Sequence, residues 1–253
     1  MSKPVIASIG TTHPWNIAGV GLDAQIACEY GLPHAAAIVA VSAQDQHGLH
    51  AIHPVPAALV TEQLHSFPPG IAVYLAGALV SNENVRAVAA FVQDLGEAVV
   101  VVDPVLSVSL GGDLQTDADL ARTLNSCLLT LPVIVTPNLG EVERLTGKAP
   151  ADAAAMEAAA RQFVRNGAKA ALVTGGHLRG DPVDVLATAQ GIQSFSDTRI
   201  PGDMRGCGST LAAALACELA LGKKLAPAVQ DARAYVRAKI AAGRMRGGLQ
   251  VAF

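Results

Sequence analysis

The stretch Ala98-Val99-Val100-Val101-Val102-Asp103-Pro104 decides the fold class. Its short apolar run has no polar alternation, so it predicts a strand that is buried on both faces. Strands of that kind occur in parallel sheets that are covered by helices. Asp103 follows the last valine directly, at the carboxyl end of the strand, which is the edge where open α/β sheets bind ligands.

The same pattern recurs along the chain, with further predicted strands at 5–9, 36–41, 71–75, 133–135 and 170–173. Between them lie Ala/Leu-rich stretches of about three turns each, which suit helical crossovers, at 20–30, 56–64, 82–94, 117–128 and 151–166. This alternation is the βαβ rhythm of a doubly wound sheet. Runs at 183–188 and 192–200 predict an antiparallel edge hairpin, and helices at 209–221 and 226–242 close the chain. We expect one α/β domain over residues 1–253, with a mostly parallel central sheet.

Composition excludes several classes of protein. Charged residues make up 15% and the net charge is −3, so no basic face for duplex nucleic acid is expected. The four cysteines form no C-x-x-C pair, which argues against a zinc or disulfide framework. The apolar runs are shorter than a membrane span requires and no signal peptide is indicated, so we expect a cytoplasmic protein without a membrane partner.

Three histidines, His47, His50 and His53, follow the second predicted strand. We expect them to lie in a loop and not to form a metal site, because a residue before proline, as His53 is, favours extended chain.

The strongest functional signal is the turn Met204-Arg205-Gly206-Cys207-Gly208-Ser209-Thr210, which precedes an apolar helix. Two glycines let the backbone turn tightly and approach a ligand without a Cβ in the way. The N–H groups and the positive dipole end of the next helix would then face an anion. The alternative interpretation is a plain turn in which Ser209 caps the helix. The chain has no Walker A motif, so the turn is not a P-loop.

A second signal follows the predicted strand at 133–135. Asn138 and Glu141 lie three residues apart at the start of a short helix, so they share one helical face. An amide and a carboxylate placed there can hold hydrated Mg²⁺ through water. Helix capping by Thr136 or Asn138 is the alternative interpretation.

The order of these motifs resembles the ribokinase-like superfamily. Asp103-Pro104-Val105 is followed by the Asn138-x-x-Glu141 stretch, then by Gly175-Gly176-His177 and the Gly206-x-Gly208 turn. Within the superfamily, nearly the whole chain is similar to the hydroxymethylpyrimidine/phosphomethylpyrimidine kinases of thiamine biosynthesis. The resemblance implies a three-layer α/β/α fold, ATP and Mg²⁺ as cofactors, and a homodimer. It also implies phosphoryl transfer to the hydroxymethyl group of 4-amino-5-hydroxymethyl-2-methylpyrimidine, and to its monophosphate if the enzyme performs two steps.

The resemblance further implies roles for single residues. The expected catalytic residues are Gly206, Cys207, Gly208 and Ser209. The expected substrate-binding residues are Ala18, Gly19, Asp23, Gln44, Ala78 and Val105, with Gln44 hydrogen-bonding the pyrimidine. The expected cofactor-binding residues are Asp103, Asn138, Glu141, Thr174, Gly176 and Thr210, and Asn138 and Glu141 would also hold Mg²⁺ through water.

The chain departs from these kinases at the catalytic turn, at position 174, and before Ala18, where Trp15-Asn16-Ile17 replaces Ser-Gly-Gly. Ser209 stands where they carry a cysteine, Cys207 lies two residues earlier, and Thr174 replaces a lysine. A serine hydroxyl is no base near neutral pH, but phosphoryl transfer depends mostly on positioning and charge stabilisation, which backbone N–H groups supply. We therefore expect a kinase, with Cys207 as a displaced base left open.

Two alternatives follow from the same departures. One is a pyridoxal-type vitamin kinase, in which Trp15 and Ile17 reshape the acceptor pocket and Trp15 stacks on a heteroaromatic ring. The other is a catalytically weakened homologue that binds a pyrimidine.

Overall fold

The computed structural model describes residues 3–107, 114 and 116–253. Within these residues, nine strands form one sheet in the order β3-β2-β1-β4-β5-β6-β7-β8-β9. The strands are β1 (Val5–Thr11), β2 (His34–Asp45), β3 (Gly48–Pro54), β4 (Ile71–Ala76), β5 (Val99–Val102), β6 (Ile134–Val135), β7 (Ala170–Thr174), β8 (Val183–Thr188) and β9 (Gly191–Ser196). A separate small hairpin pairs β10 (Met245–Arg246) with β11 (Leu249–Gln250).

The six central strands run parallel, and antiparallel strands lie at both edges of the sheet. Each neighbouring pair from β2 through β7 is parallel. At one edge β7, β8 and β9 pair antiparallel, which confirms the predicted edge hairpin. At the other edge β3 pairs antiparallel with β2.

Helices cover both faces of the sheet. They are α1 (Gly19–Glu29), α2 (Ala57–His65), α3 (Asn82–Asp94), α4 (Leu120–Thr123), α5 (Leu139–Thr146), α6 (Ala153–Arg165), α7 (Cys207–Ala220) and α8 (Leu225–Ala242). One core cluster joins the sheet to α2, α3, α5 and α6, with Phe163 among its largest side chains. The other joins it to α1, α7 and α8, with Ile26 and Leu215 at its centre. The predicted three-layer α/β/α fold is therefore confirmed.

The valines of β5 show why this strand needs helices on both sides. Val100 and Val102 belong to the first cluster, while Val101 belongs to the second. Successive side chains of a strand point to opposite faces, so an unbroken apolar run buries surface in both directions. Burying one such side chain contributes about 1.5–3 kcal/mol, which fixes β5 at the centre of the sheet.

The structure corrects the sequence-based boundaries in three places. Residues 48–54 form strand β3, not a loop, because pairing with β2 satisfies their backbone although their side chains carry little apolar signal. The helix expected over 117–128 begins at Leu120 and ends in a π-helical turn, Leu124–Leu128. Helix α7 begins at Cys207, two residues before the predicted start.

No helix in the described parts of the chain combines the length and the apolar character that crossing a membrane requires.

Candidate active site

A cavity of about 440 Å³ opens at the carboxyl ends of the parallel strands. Its wall includes the residues that end or follow β1, β4, β5, β6 and β7, namely Thr11, Gly77, Asp103, Thr136 and Thr174. Parallel strands bring their carboxyl ends to one edge, and a ligand there meets the N-termini of the helices that follow. The sequence placed the site at this edge.

The glycine turn forms one wall of this cavity. Gly206 is the N-cap residue of α7 and has a left-handed φ of 75°. An added Cβ at Gly206 would lie 2.2 Å from the backbone oxygen of Ile17, so only glycine fits there. Cys207, Gly208 and Ser209 follow as the first turn of α7 and line the cavity. Gly206 has no side chain that could cap this turn. The N–H groups of the turn and the positive end of the helix dipole can therefore bind an anion.

The early start of α7 removes the alternative in which Ser209 caps the helix. Gly206 takes the N-cap position, and Ser209 becomes the third helical residue. The Cys207 thiol donates a hydrogen bond to the Met204 carbonyl oxygen at 3.0 Å. Burial raises the pKa of this thiol to about 11. This contact and the raised pKa argue against Cys207 as the displaced base that the sequence left open.

Asp103 faces the turn from the end of β5, where it is buried. Its Oδ1 accepts a hydrogen bond from Thr136 Oγ1 at 3.2 Å. Its Oδ2 accepts one from Ser209 Oγ at 3.5 Å, across 106 positions of sequence. Burial raises the pKa of Asp103 to about 6, and the two hydroxyl donors oppose that shift. The fold therefore creates a carboxylate–serine contact that no local motif indicates.

Asn138 and Glu141 form a capping box at the start of α5. Glu141 N donates to Asn138 Oδ1 at 3.0 Å, and Asn138 N donates to Glu141 Oε2 at 2.9 Å. The capping interpretation is thus correct, and both residues also line the cavity. Burial, with the charge of Asp103 added, raises the pKa of Glu141 well above its ordinary value. Capping fixes the orientation of two oxygen-bearing side chains at the cavity wall.

The residues predicted to bind the acceptor all lie in the wall of the same cavity. Ala18, Gly19, Asp23, Gln44, Ala78 and Val105 all line it. Gln44 Nε2 donates to Ser42 Oγ at 2.8 Å, and Ser42 Oγ donates to the Thr12 carbonyl oxygen at 2.5 Å. The amide of Gln44 is therefore held in one orientation.

Trp15 does not take the position that the pyridoxal alternative gave it. Ile17 lines the cavity, but Trp15 is not part of its wall. The indole packs against Gly247, where an added Cβ would lie 2.5 Å from Cη2. Arg246 Nη1 also donates to the Trp15 carbonyl oxygen at 2.8 Å. The acceptor end instead includes the buried His13, whose Nδ1 accepts a hydrogen bond from Trp15 N at 3.0 Å.

Thr174 and Gly176, which the sequence predicted to bind the cofactor, also line the cavity. Arg199, which the sequence did not single out, donates to the carbonyl oxygens of Gly176, Leu178 and Gly180 at 2.7–2.9 Å and so holds this loop. Thr210 is a correction, because its side chain is fully buried behind the turn and does not line the cavity.

Asp23, at the cavity wall, has a raised pKa. Burial raises its pKa to about 7; a hydrogen bond with Ser8 opposes this shift and the charge of Asp103 adds to it. The folded protein therefore keeps a proton that the unfolded chain releases near pH 4. Stability contributed by protonated Asp23 is lost as the pH rises through about 4 to 7.

We expect Asp23→Asn to raise the melting temperature at pH 8 by about 2–4 °C, which corresponds to about 1 kcal/mol. The gain should shrink towards pH 4, because protonated Asp23 and asparagine are then both neutral. Thermal unfolding between pH 4 and pH 8 measures the difference, with the exposed Asp94→Asn as control. A gain that is the same at all pH values would show that the pKa of Asp23 is the same in the folded protein and in the unfolded chain.

The fold is that of the ribokinase-like kinases. The Staphylococcus aureus pyridoxal kinase solved with AMP-PCP and pyridoxal superposes with a TM-score of 0.87 at 23% identity, over 98% of this chain and 92% of that one. The sequence pattern of the family described as phosphomethylpyrimidine kinase matches residues 16–251. The chain belongs to this family and is a phosphotransferase.

Two relatives show how the chain corresponds to whole proteins. It is 32% identical over 251 residues to the hydroxymethylpyrimidine/phosphomethylpyrimidine kinase of Streptomyces coelicolor, covering 98% of this chain and 93% of that protein. It is 37% identical over 227 residues to the thiamine biosynthesis bifunctional protein ThiED of Geobacter sulfurreducens. That match covers 88% of this chain but 46% of the bifunctional protein, so the chain spans about half of its length.

Proposed function

We propose that this protein transfers the γ-phosphoryl group of ATP to the hydroxymethyl group of 4-amino-5-hydroxymethyl-2-methylpyrimidine. One observation carries the proposal: the first turn of α7 lies in the same cavity as the acceptor residue Gln44. The turn offers N–H groups to a transferring phosphoryl group, while Gln44 lies where an acceptor would bind. Family membership supports the pyrimidine as that acceptor.

The fixed amide of Gln44 suits an aminopyrimidine. Its Nε2 hydrogen donates to Ser42, which leaves Oε1 to accept a hydrogen bond from an exocyclic amino group. The mixed apolar and polar wall, with Val105 and Ala78, suits the flat ring and its methyl group. Gln44→Ala is expected to raise the KM for the pyrimidine more than it lowers kcat, because the contact exists before and during transfer.

The buried carboxylate of Glu141 fits a divalent cation. Burial and the charge of Asp103 raise the pKa of Glu141, and a bound cation would stabilise its ionised form. Mg²⁺ prefers oxygen ligands and keeps several waters, so Asn138 and Glu141 would hold it through water beside the phosphates. When bound, Mg²⁺ supplies positive charge that neutralises the phosphate oxygens.

The protein's own residues position the two reactants. Transfer needs the acceptor oxygen, the γ-phosphorus and the leaving oxygen in line. The backbone N–H groups of Cys207, Gly208 and Ser209 would stabilise the charge on the transferring group without moving, since the helix holds them. This arrangement needs no cysteine at position 209, which is why we propose activity despite that replacement.

Production of ADP by the purified protein with Mg-ATP tests the proposal. We expect ADP only when hydroxymethylpyrimidine is present, and the monophosphate as acceptor tests a second phosphorylation. Pyridoxal is run in parallel because the fold is shared with a pyridoxal kinase. ADP with pyridoxal alone would replace the proposed acceptor, and a melting shift with the pyrimidine but no ADP would indicate a binding protein.

We also propose that residues 1–253 act as one domain in the cytoplasm and pair as a homodimer that binds neither nucleic acid nor membrane. One sheet with a core cluster on each face supports the single domain. Size-exclusion chromatography with light scattering would give the mass of two chains, and the mass of one chain would contradict the dimer.

A further inference from the structure

The contact between Asp103 and Ser209 lies in the wall of the cavity that also contains the first turn of α7 and Gln44. We propose that Asp103 is the proton acceptor of the transfer reaction and that the Ser209 hydroxyl relays the proton to it. This inference rests on the proposed kinase function and deepens it. A serine hydroxyl is not a base near neutral pH, so Ser209 can pass on the substrate proton only if Asp103 accepts it.

Three contacts place Asp103 for this role. Its backbone N–H donates to the Ala76 carbonyl oxygen at 2.8 Å, which fixes the end of β5 against β4. Thr136 donates to Oδ1, so the carboxylate is oriented with Oδ2 towards Ser209. The Ser209–Asp103 distance of 3.5 Å is at the long end for a hydrogen bond. Catalytic hydrogen bonds are often long before substrates bind and tighten in the reactive complex.

The relay conserves atoms and charge. A lone pair of the substrate hydroxyl oxygen forms the new bond to the γ-phosphorus, while the bond from that phosphorus to its bridging oxygen breaks and its electrons leave with ADP. The substrate hydroxyl proton passes to Ser209 Oγ as the Ser209 hydroxyl proton passes to Asp103 Oδ2. Asp103 then releases the proton to water after the product leaves.

The surroundings make Asp103 a stronger base than an exposed aspartate. Burial raises its pKa to about 6, which is closer to the working pH and still leaves the group ionised at neutral pH. The acidic groups that face it are Asp23 on α1 and Glu141 on α5, whose pKa values its charge raises in turn. Helix α7 presents the Ser209 hydroxyl and the positive end of its dipole.

A double-mutant cycle tests the relay. We expect Asp103→Asn to lower kcat by about 10²–10⁴-fold in the native background, the usual contribution of a placed base. Ser209→Ala should cost about the same, and the double variant little more, because both changes interrupt one path. In a Ser209→Cys background, measured at pH 8.5, Asp103→Asn should cost less than about 10-fold, because a thiolate can then accept the proton directly.

Two readouts separate the relay from a role in binding. The kcat/KM profile of the native protein should fall below about pH 6, and Asp103→Asn should remove that acid limb. Binding of Mg-ADP, measured by calorimetry, should be nearly unchanged in Asp103→Asn, and melting curves show that the isosteric variant folds.

An equal loss from Asp103→Asn in the serine and cysteine backgrounds would overturn the relay and assign Asp103 to phosphate or metal binding. An unchanged acid limb would overturn it as well. Absence of ADP from every variant, the native protein included, would instead overturn the kinase function on which the relay rests.

Discussion

We expect Gly208→Asp to abolish ADP production while the protein stays folded. An added Cβ at Gly208 meets nothing within 4 Å, so the new side chain fits and extends into the cavity. Its carboxylate would occupy the anion position at the first turn of α7 and repel the transferring phosphoryl group. Removing one donor from such a site typically costs about 10²–10³-fold in kcat, and a negative charge in place of the ligand should cost at least about 10³-fold.

The same substitution should leave the melting temperature equal to the native value or slightly higher, because acidic residues are favourable in the first turn of a helix. Gly208→Asn has nearly the same shape without the charge and serves as the matched control. We expect it to retain clearly more activity than Gly208→Asp, since only repulsion separates the two. Equal activities in the two variants would show that shape and not charge decides, and that the turn does not bind an anion.

Gly206→Ala should destabilise the protein by about 2–5 kcal/mol. The left-handed φ of 75° costs about 1–2 kcal/mol for a residue with a Cβ. The Cβ would also lie 2.2 Å from the Ile17 carbonyl oxygen, a backbone contact that no side-chain rotation relieves, and such overpacking typically costs about 1–3 kcal/mol. Activity should fall as well, because the turn has to move to make room.

Thermal unfolding of Gly206→Ala measures this loss of stability, and Gly208→Ala, which makes the same glycine-to-alanine change, is the control. Both variants add one methyl group to the same turn, but the methyl at position 208 meets open space. We expect a loss of roughly 5–15 °C for Gly206→Ala and a shift of at most about 2 °C for Gly208→Ala. Similar melting temperatures would mean that the turn adapts and that Gly206 is not required by packing.

Most of the fold was predictable because its signals are local. Each buried strand is a short apolar run, and the alternating burial of Val100, Val101 and Val102 into two cores follows from strand geometry. Strand β3 could not be predicted in the same way. It is an edge strand whose exposed His50 and His53 give no apolar pattern, and its pairing with β2 is a backbone interaction.

The candidate site likewise has features set by local sequence and features set by long-range contacts. The sequence by itself determined that a glycine-rich segment at Gly206 leads into an apolar helix and that Asn138 and Glu141 share one helical face, because these relations span a few residues. Only the tertiary structure decided that Thr210 lies in the core, that Trp15 packs against Gly247, and that Ser209 meets Asp103. Such contacts join elements that are far apart in the chain, so they depend on how strands and helices pack and leave no periodic trace in the sequence.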